Sequence, residues 1–468
     1  MLPIPTSIHQ LQADLMEGRY SAQELLLTYL RRIAALDSGE GGLNAVAAIN
    51  PDALFLAEAA DRQMAAGQNT GILSGVPILV KANIATSDSM PTTAGSLVLE
   101  HNYALRESFL VKRLRKAGAV ILGKTNMTEF ANFMSYRMPS GYSSLGGQVK
   151  NPHAPSKEPG GSSSGSAAAM AAQLAGACIG TETNSSILWP AQNNGVVGLK
   201  PSIGLVSRAG MIPISRTLDT AGPITACTED AALVMNAIAG YDCNDPATYI
   251  LKNQETEDFT RYLDTCYLQG RRIGLYHTET FLTDAEQQDA TRRLVTLLRE
   301  SGAELEDNCC LREYPEIKTL EKYEFKASLN YFFAKENGYT LRSILQANEA
   351  YGKAALRYGQ DRMEESEIGC SGSLTEPIYL KAMLTRAEAR RQVTALMDHK
   401  RLDAILCTGG ITDIAPFTGL PSMTVPIGYR ADRSPIGCCM MARHLDDARL
   451  LGVMYAIEKR IGFEPLNV

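Results

Sequence analysis

Tryptophan occurs once in this chain of 468 residues and histidine only six times. The histidines, at positions 9, 101, 153, 277, 399 and 444, show no HxxxH or HxH spacing, which removes the usual mark of a zinc site and weakens any Ser-His-Asp arrangement. Ten cysteines include no CxxC pair, and the neighbours Cys309-Cys310 and Cys438-Cys439 could close only strained vicinal bridges. They read as reduced, mostly buried thiols. Long apolar runs are missing too: the longest, Ala167 to Ile179, is broken by Gln173 and falls short of the roughly 20 residues that span a bilayer. Met1 to Gln12 lacks the basic start and apolar core of a signal peptide, so a cytoplasmic location is expected. Nor is there a basic excess. A formal net charge of −6 argues against nucleic acid or an anionic membrane as partner and leaves a small neutral or positive molecule.

What is present is ordinary globular composition, 45% hydrophobic and 21% charged, in a length that allows about three domains at roughly 150 residues each. The pattern along the chain favours one. Ser7-x-x-Gln10 and Ser21-x-x-Glu24 read as capping boxes before the amphipathic runs Leu11 to Met16 and Leu25 to Leu36, and Ala53 to Ala66 is a further helix. Gly75 to Val80 is a short buried strand with Lys81 at its end. Helix Ser108 to Lys116 then leads to strand Ala119 to Leu122. The same alternation returns with Arg272 to Tyr276, Asp284 to Glu300, Ala303 to Leu305 and Ala404 to Cys407. Thr256 to Arg401 is richer in charge and helix than the glycine-rich Gly141 to Gly222, but no linker separates them. The expected organisation is a helical segment over 1–70, a core over 71–250, a helix-rich region of the same domain over 251–400, and a return to the core over 401–468.

Three places could carry chemistry. Gly160-Gly161-Ser162-Ser163-Ser164-Gly165-Ser166 runs into an alanine-rich helix and offers free backbone N–H groups beside hydroxyls, a setting for anions or oxyanions. A phosphate loop is its rival, yet neither GxxxxGK[ST] nor GxGxxG is present. The bland alternative is that these serines only cap a helix. A second polar turn, Gly180-Thr181-Glu182-Thr183-Asn184-Ser185-Ser186-Ile187, ends against Trp189-Pro190. A serine nucleophile there lacks a histidine base, and Lys81, among Val76, Ile78, Leu79 and Val80, is the remaining candidate. Bringing a lysine pKa from about 10.4 to near 7 or 8 takes roughly 4 kcal/mol of differential stabilisation, within reach of full burial. Its bland alternative is a strand-end lysine reaching solvent.

Together these segments resemble the amidase signature family, closest in motif to its peptide amidase-like branch. Gly123-Lys124-Thr125-Asn126-Met127-Thr128-Glu129-Phe130, Gly146 to Pro152, Gly195 to Pro201, Asp219-Thr220-Ala221-Gly222-Pro223, Gly419 to Pro426 and Pro435-Ile436-Gly437 extend the likeness over most of the chain. The resemblance implies an α/β fold, a single large domain with a mixed central β-sheet flanked by helices. It also implies an amide hydrolase without cofactor or metal, working through an acyl-enzyme. Carried over by residue, Lys81 is the base, Ser162 the cis-serine relay and Ser186 the nucleophile. The backbone N–H groups of Thr183, Asn184 and Ser185, with that of Ser186, form the oxyanion hole, and Met134 and Trp189 are assigned to the substrate pocket, although core packing is the plain reading of a lone tryptophan. Two residues depart from the family. Ser185 stands where glycine is usual, adding roughly 1 to 2 kcal/mol of strain if φ is positive, and Ala82 stands where an acid is usual. The alternatives are an amide-forming acyltransferase, a protein like the A component of glutamyl-tRNA amidotransferase, and a fold-retaining protein with weakened catalysis. The expected partner is a small-molecule amide, with no nucleic acid or membrane, and a homodimer is left open.

Overall fold

Local signals start the helices. In the computed structural model, which describes residues 5–68, 71–307 and 309–464, the Ser21 hydroxyl accepts from the Glu24 N–H while the Glu24 carboxylate accepts from the Ser21 N–H. That complete capping box opens the helix Ala22–Arg32. At Ser7 only half of the expected box forms. Its hydroxyl accepts from the Gln10 N–H, but the Gln10 side chain turns forward and donates to Asp14 at 2.7 Å. A carboxylate acceptor outbids a neutral backbone partner.

The described residues form thirteen strands: β1 (Val46–Ile49), β2 (Pro77–Lys81), β3 (Val120–Thr125), β4 (Tyr142–Ser143), β5 (Gly147–Gln148), β6 (Ala177–Glu182), β7 (Val197–Lys200), β8 (Thr220–Thr225), β9 (Arg272–Tyr276), β10 (Glu304–Glu306), β11 (Ala404–Cys407), β12 (Ser422–Tyr429) and β13 (Pro435–Met441). β4 and β5 form a separate small hairpin. The others make one mixed sheet of eleven strands in the order β1-β3-β2-β6-β8-β7-β12-β13-β11-β9-β10. Parallel pairs β3/β2/β6 and β11/β9/β10 flank an antiparallel middle. The strands β9 and β10 belong to this same sheet, so the chain is a single α/β domain.

Side-chain alternation along β2 decides where Lys81 points. Ile78 and Val80 lie in the core on one face, with Val234 and Met235 of the helix Thr228–Ile238. Leu79 packs on the other, with Leu25 and Leu26 of the first helices and the alanines of the helix Ser164–Ala171. A period of two therefore sends Lys81 to the Leu79 side, where the serine-rich loop enters its helix. β2 and β6 run parallel with Val80 opposite Ile179, so the end of β2 and the turn after β6 share one edge of the sheet. Ligands of open α/β sheets gather at such carboxyl ends.

The helices Glu316–Ala334, Leu341–Tyr351, Asp361–Gly369 and Pro377–His399 cover that edge from outside. Phe325 anchors them, with its ring 4.3 Å from Phe133 and edge-on to Phe130 at 6.4 Å.

Where β8 passes β7 there is no room for a side chain. A Cβ on Gly222 would sit 2.1 Å from the Leu199 carbonyl oxygen and 2.8 Å from the Pro201 ring. The substitution Gly222→Ala is expected to cost about 1 to 3 kcal/mol of stability, seen as a lower urea midpoint with an unchanged m-value.

Candidate active site

Lys81 is wholly buried, which disposes of the solvent-reaching alternative. Its Nζ lies 2.9 Å from Ser162 Oγ, 2.9 Å from Ser163 Oγ and 3.1 Å from the Thr181 carbonyl oxygen. All three partners are neutral oxygens. Burial lowers the amine to about 7, against the upward pull of the Glu182 and Asp219 charges. The serines are not helix caps: Ser163, at the N-terminal end of Ser164–Ala171, makes no side-chain cap bond. Its Oγ accepts from the Thr181 N–H at 3.2 Å and donates to the Thr181 carbonyl at 3.1 Å. The peptide joining Gly161 to Ser162 is cis. Gly161 and Gly180 permit this close packing, since a Cβ on the first would lie 2.6 Å from Thr128 Oγ1 and on the second 2.8 Å from Ser163 Oγ.

The Ser163 N–H donates to the Ser186 carbonyl at 3.1 Å, tying the serine loop to the turn that carries Ser186. Ser186 itself is 6% exposed. Two buried carboxylates hold this turn. Glu182 accepts from the N–H groups of Ile187 at 2.7 Å and Leu188 at 3.1 Å. Asp219 accepts from the Thr183 hydroxyl at 2.5 Å and from the N–H groups of Ile214 at 2.9 Å and Ser215 at 3.0 Å. Burial raises both carboxyls, Asp219 to about 7. Thr183 is buried while Asn184 and Ser185 are partly exposed, and Ser185 adopts φ 61°. Its departure from glycine thus carries the left-handed strain of roughly 1 to 2 kcal/mol.

Met134 is fully buried in the aromatic cluster around Phe130, Phe133 and Phe325. Trp189 is half-buried at the start of the helix Leu188–Asn193, its backbone against Gly160. The other departure, Ala82, is buried, and its N–H donates to the Thr125 carbonyl.

With Lys81, Ser162 and Ser186 brought to one sheet edge, likeness to known proteins settles the family. A family model described as Amidase matches residues 24–412. The chain belongs to the amidase family. The native peptide amidase of Stenotrophomonas maltophilia superposes with a TM-score of 0.93 at 39% identity, covering 98% of each chain. A probable amidase of Arabidopsis thaliana is 35% identical over 97% of this chain and 89% of its own length. The A component of the glutamyl-tRNA(Gln) amidotransferase of Thioalkalivibrio sulfidiphilus is 34% identical over 96% of both. This amidase is accordingly an enzyme that hydrolyses carbon–nitrogen bonds. No described helix is long and apolar enough to cross a membrane.

Ser163, Glu182 and Asp219 bond to the residues of this candidate site, and sequence reasoning did not single them out. Thr-Glu-Thr and Asp-Thr-Ala-Gly-Pro stand out as motifs, and an acid inside an otherwise apolar strand end, as Glu182 is, was the available signal.

The neutral form of Lys81 is the basic one, so kcat/KM is expected to rise with pH through about 7 and level off above it. Asp219 raises the lysine's pKa, so in Asp219→Asn the limb should move to lower pH. A pH–rate profile of both proteins checks this; a limb that vanishes in the variant would assign it to Asp219 instead.

Proposed function

We propose that this amidase hydrolyses a small carboxylic amide through a Lys81, Ser162, Ser186 relay and an acyl-enzyme on Ser186. The observation that carries the reading is the proton arithmetic around Lys81. A hydroxyl has one proton, and that of Ser163 is committed to the Thr181 carbonyl. A neutral amine has two N–H bonds and a lone pair. The N–H bonds go to Ser163 Oγ and the Thr181 carbonyl, which leaves the lone pair facing Ser162 Oγ. Ser162 is then the hydroxyl free to give its proton to Lys81 while taking one from Ser186.

In the forward step Ser186 Oγ attacks the amide carbonyl as its proton passes to Ser162 and that of Ser162 to Lys81, which becomes an ammonium. The negative charge that develops on the carbonyl oxygen is met by backbone N–H groups of the Thr183 to Ser186 turn, each worth roughly 2.7 to 4 kcal/mol in the transition state. The proton returns along the same path to the amide nitrogen, the C–N bond breaks, and ammonia or an amine departs. Water repeats the sequence on the Ser186 ester, giving the acid and restoring the neutral lysine. The peptide amidase likeness at 39% identity supports peptide amides as the first substrates to test. The amidotransferase likeness favours a second reading, a component that works beside partners, and activity of the chain alone separates the two.

A fluorophosphonate should label the protein once, on Ser186, and block release of ammonia from peptide amides; labelling elsewhere, or none, would overturn the reading. Relay and anchor should also part company. The substitution Ser162→Ala is expected to lower kcat by about 10²- to 10⁴-fold, the worth of acid–base catalysis. Ser163→Ala, which loses an anchoring hydrogen bond, should cost about tenfold.

A further inference from the structure

A cavity of about 200 Å³ opens between the helix Glu316–Ala334 and the segment before β8. Its lining includes none of Lys81, Ser162 or Ser186, and Asp219 alone is shared with the turn that carries Ser186. Six lining residues are exposed and define its mouth: the cations Arg106, Lys112, Arg216 and Lys335, with Asn244 and Tyr331. Inside, Phe109, Met211, Pro213 and Phe332 supply an apolar wall.

The charges that face this space are unequally occupied. Every lining carboxylate already has donors of its own. Glu107 accepts from Arg115, Asp242 from Ser207, Asp245 from Arg208, and Glu336 from the Leu105 N–H. Asp219 is held as described. Arg208 is likewise engaged, by Asp245 and by the Arg216 carbonyl. Among the described residues the four cations of the mouth have no acidic partner. Arg216 lies over the Tyr331 ring at 4.3 Å, and Lys335 lies over the same ring at 4.0 Å, which holds both beside the opening.

Lys335 also donates to the Tyr331 hydroxyl, so what the mouth lacks is a negative charge, and cations without an acidic partner before an apolar wall select a ligand with one anionic end and an apolar body. A bare phosphate would leave the wall unfilled, and the inner Asp242 and Asp245 oppose a ligand with negative charge at depth. The volume lies below the about 300 Å³ at which sites for drug-sized molecules begin. We propose that this cavity is a second ligand site of the amidase, taking a small arylalkanoate-type carboxylate with its charge on Arg216 and Lys112 and its apolar body against Phe109 and Phe332. The segment that carries Arg216 connects it to the nucleophile turn, because the N–H groups of Ile214 and Ser215 fix the same Asp219 that receives the Thr183 hydroxyl.

Titration calorimetry with 4-phenylbutyrate on the full chain tests this, alongside its amide under the same conditions with Ser186→Ala to prevent turnover. The site predicts saturable binding of one carboxylate per chain, weakened by salt, with the amide bound at least about tenfold more weakly, the scale of one charge-assisted hydrogen bond. In the double variant Arg216→Gln/Lys112→Gln the affinity should fall by a similar factor while the melting temperature holds. Protein labelled on Ser186 by a fluorophosphonate should bind the carboxylate as before. No binding, equal binding of acid and amide, an affinity unmoved in the double variant, or loss of binding on labelling Ser186 would each overturn the proposal. The last would place the ligand in the catalytic site, and none of these results bears on whether Ser186 forms an acyl-enzyme.

Discussion

An amine enclosed among neutral oxygens is the constraint on which the site is built. Lys81 is wholly buried and, among the described residues, has no carboxylate in hydrogen-bond contact; two hydroxyls and one carbonyl surround its nitrogen. Burial to a pKa of about 7 penalises the charged form by about 5 kcal/mol relative to water, enough to make a lysine a base near neutral pH. An adjacent ion pair would undo this. Two acids, Glu182 and Asp219, act on the lysine through space, while Glu182 Oε2 and both Asp219 oxygens accept from the Ser186 turn and its flanks.

The fold delivers that arrangement by pairing β2 and β6 in parallel. One strand ends in the lysine, the other continues into the turn with Ser186, and the helix between them begins at the serine loop. Alternation along β2 then sets the face. The helices from Glu316 to His399 complete the enclosure, and Glu324 links them to the site: it accepts from the Ser215 hydroxyl at 2.5 Å, and Ser215 in turn donates its N–H to Asp219. Thus the part of the chain least like the family motifs still supports the residues that bear them. The cost falls on Ser185, a non-glycine residue at positive φ.

Much of this was legible in the sequence where the cause is local. Arg272 to Tyr276 and Ala404 to Cys407 are strands with the bounds their β-branched and apolar runs imply, and the helix starts at Ser21, Ser108 and Asp284 follow from their capping side chains. The strand before Lys81 was visible too, though it begins at Pro77 and includes the lysine. The order of the sheet was not, because β12 returns from more than two hundred residues away to pair with β7, a choice made by packing. The same holds within the site. Nothing adjacent to Asp219 in the chain reveals that it will hold Thr183, and no spacing distinguishes Ser163, whose hydroxyl is bonded to the Thr181 backbone, from Ser162. Only the direction of each hydroxyl does.

The state of the Lys81 amine is the point from which the rest follows, and it can be read without turnover. In Ser186→Ala protein with ¹³C-labelled lysine, the Lys81 ε-carbon resonance, assigned by its absence in Lys81→Met, should titrate with a midpoint near 7. A midpoint at the ordinary lysine value of about 10.4 would show the amine charged at neutral pH and contradict its role as base.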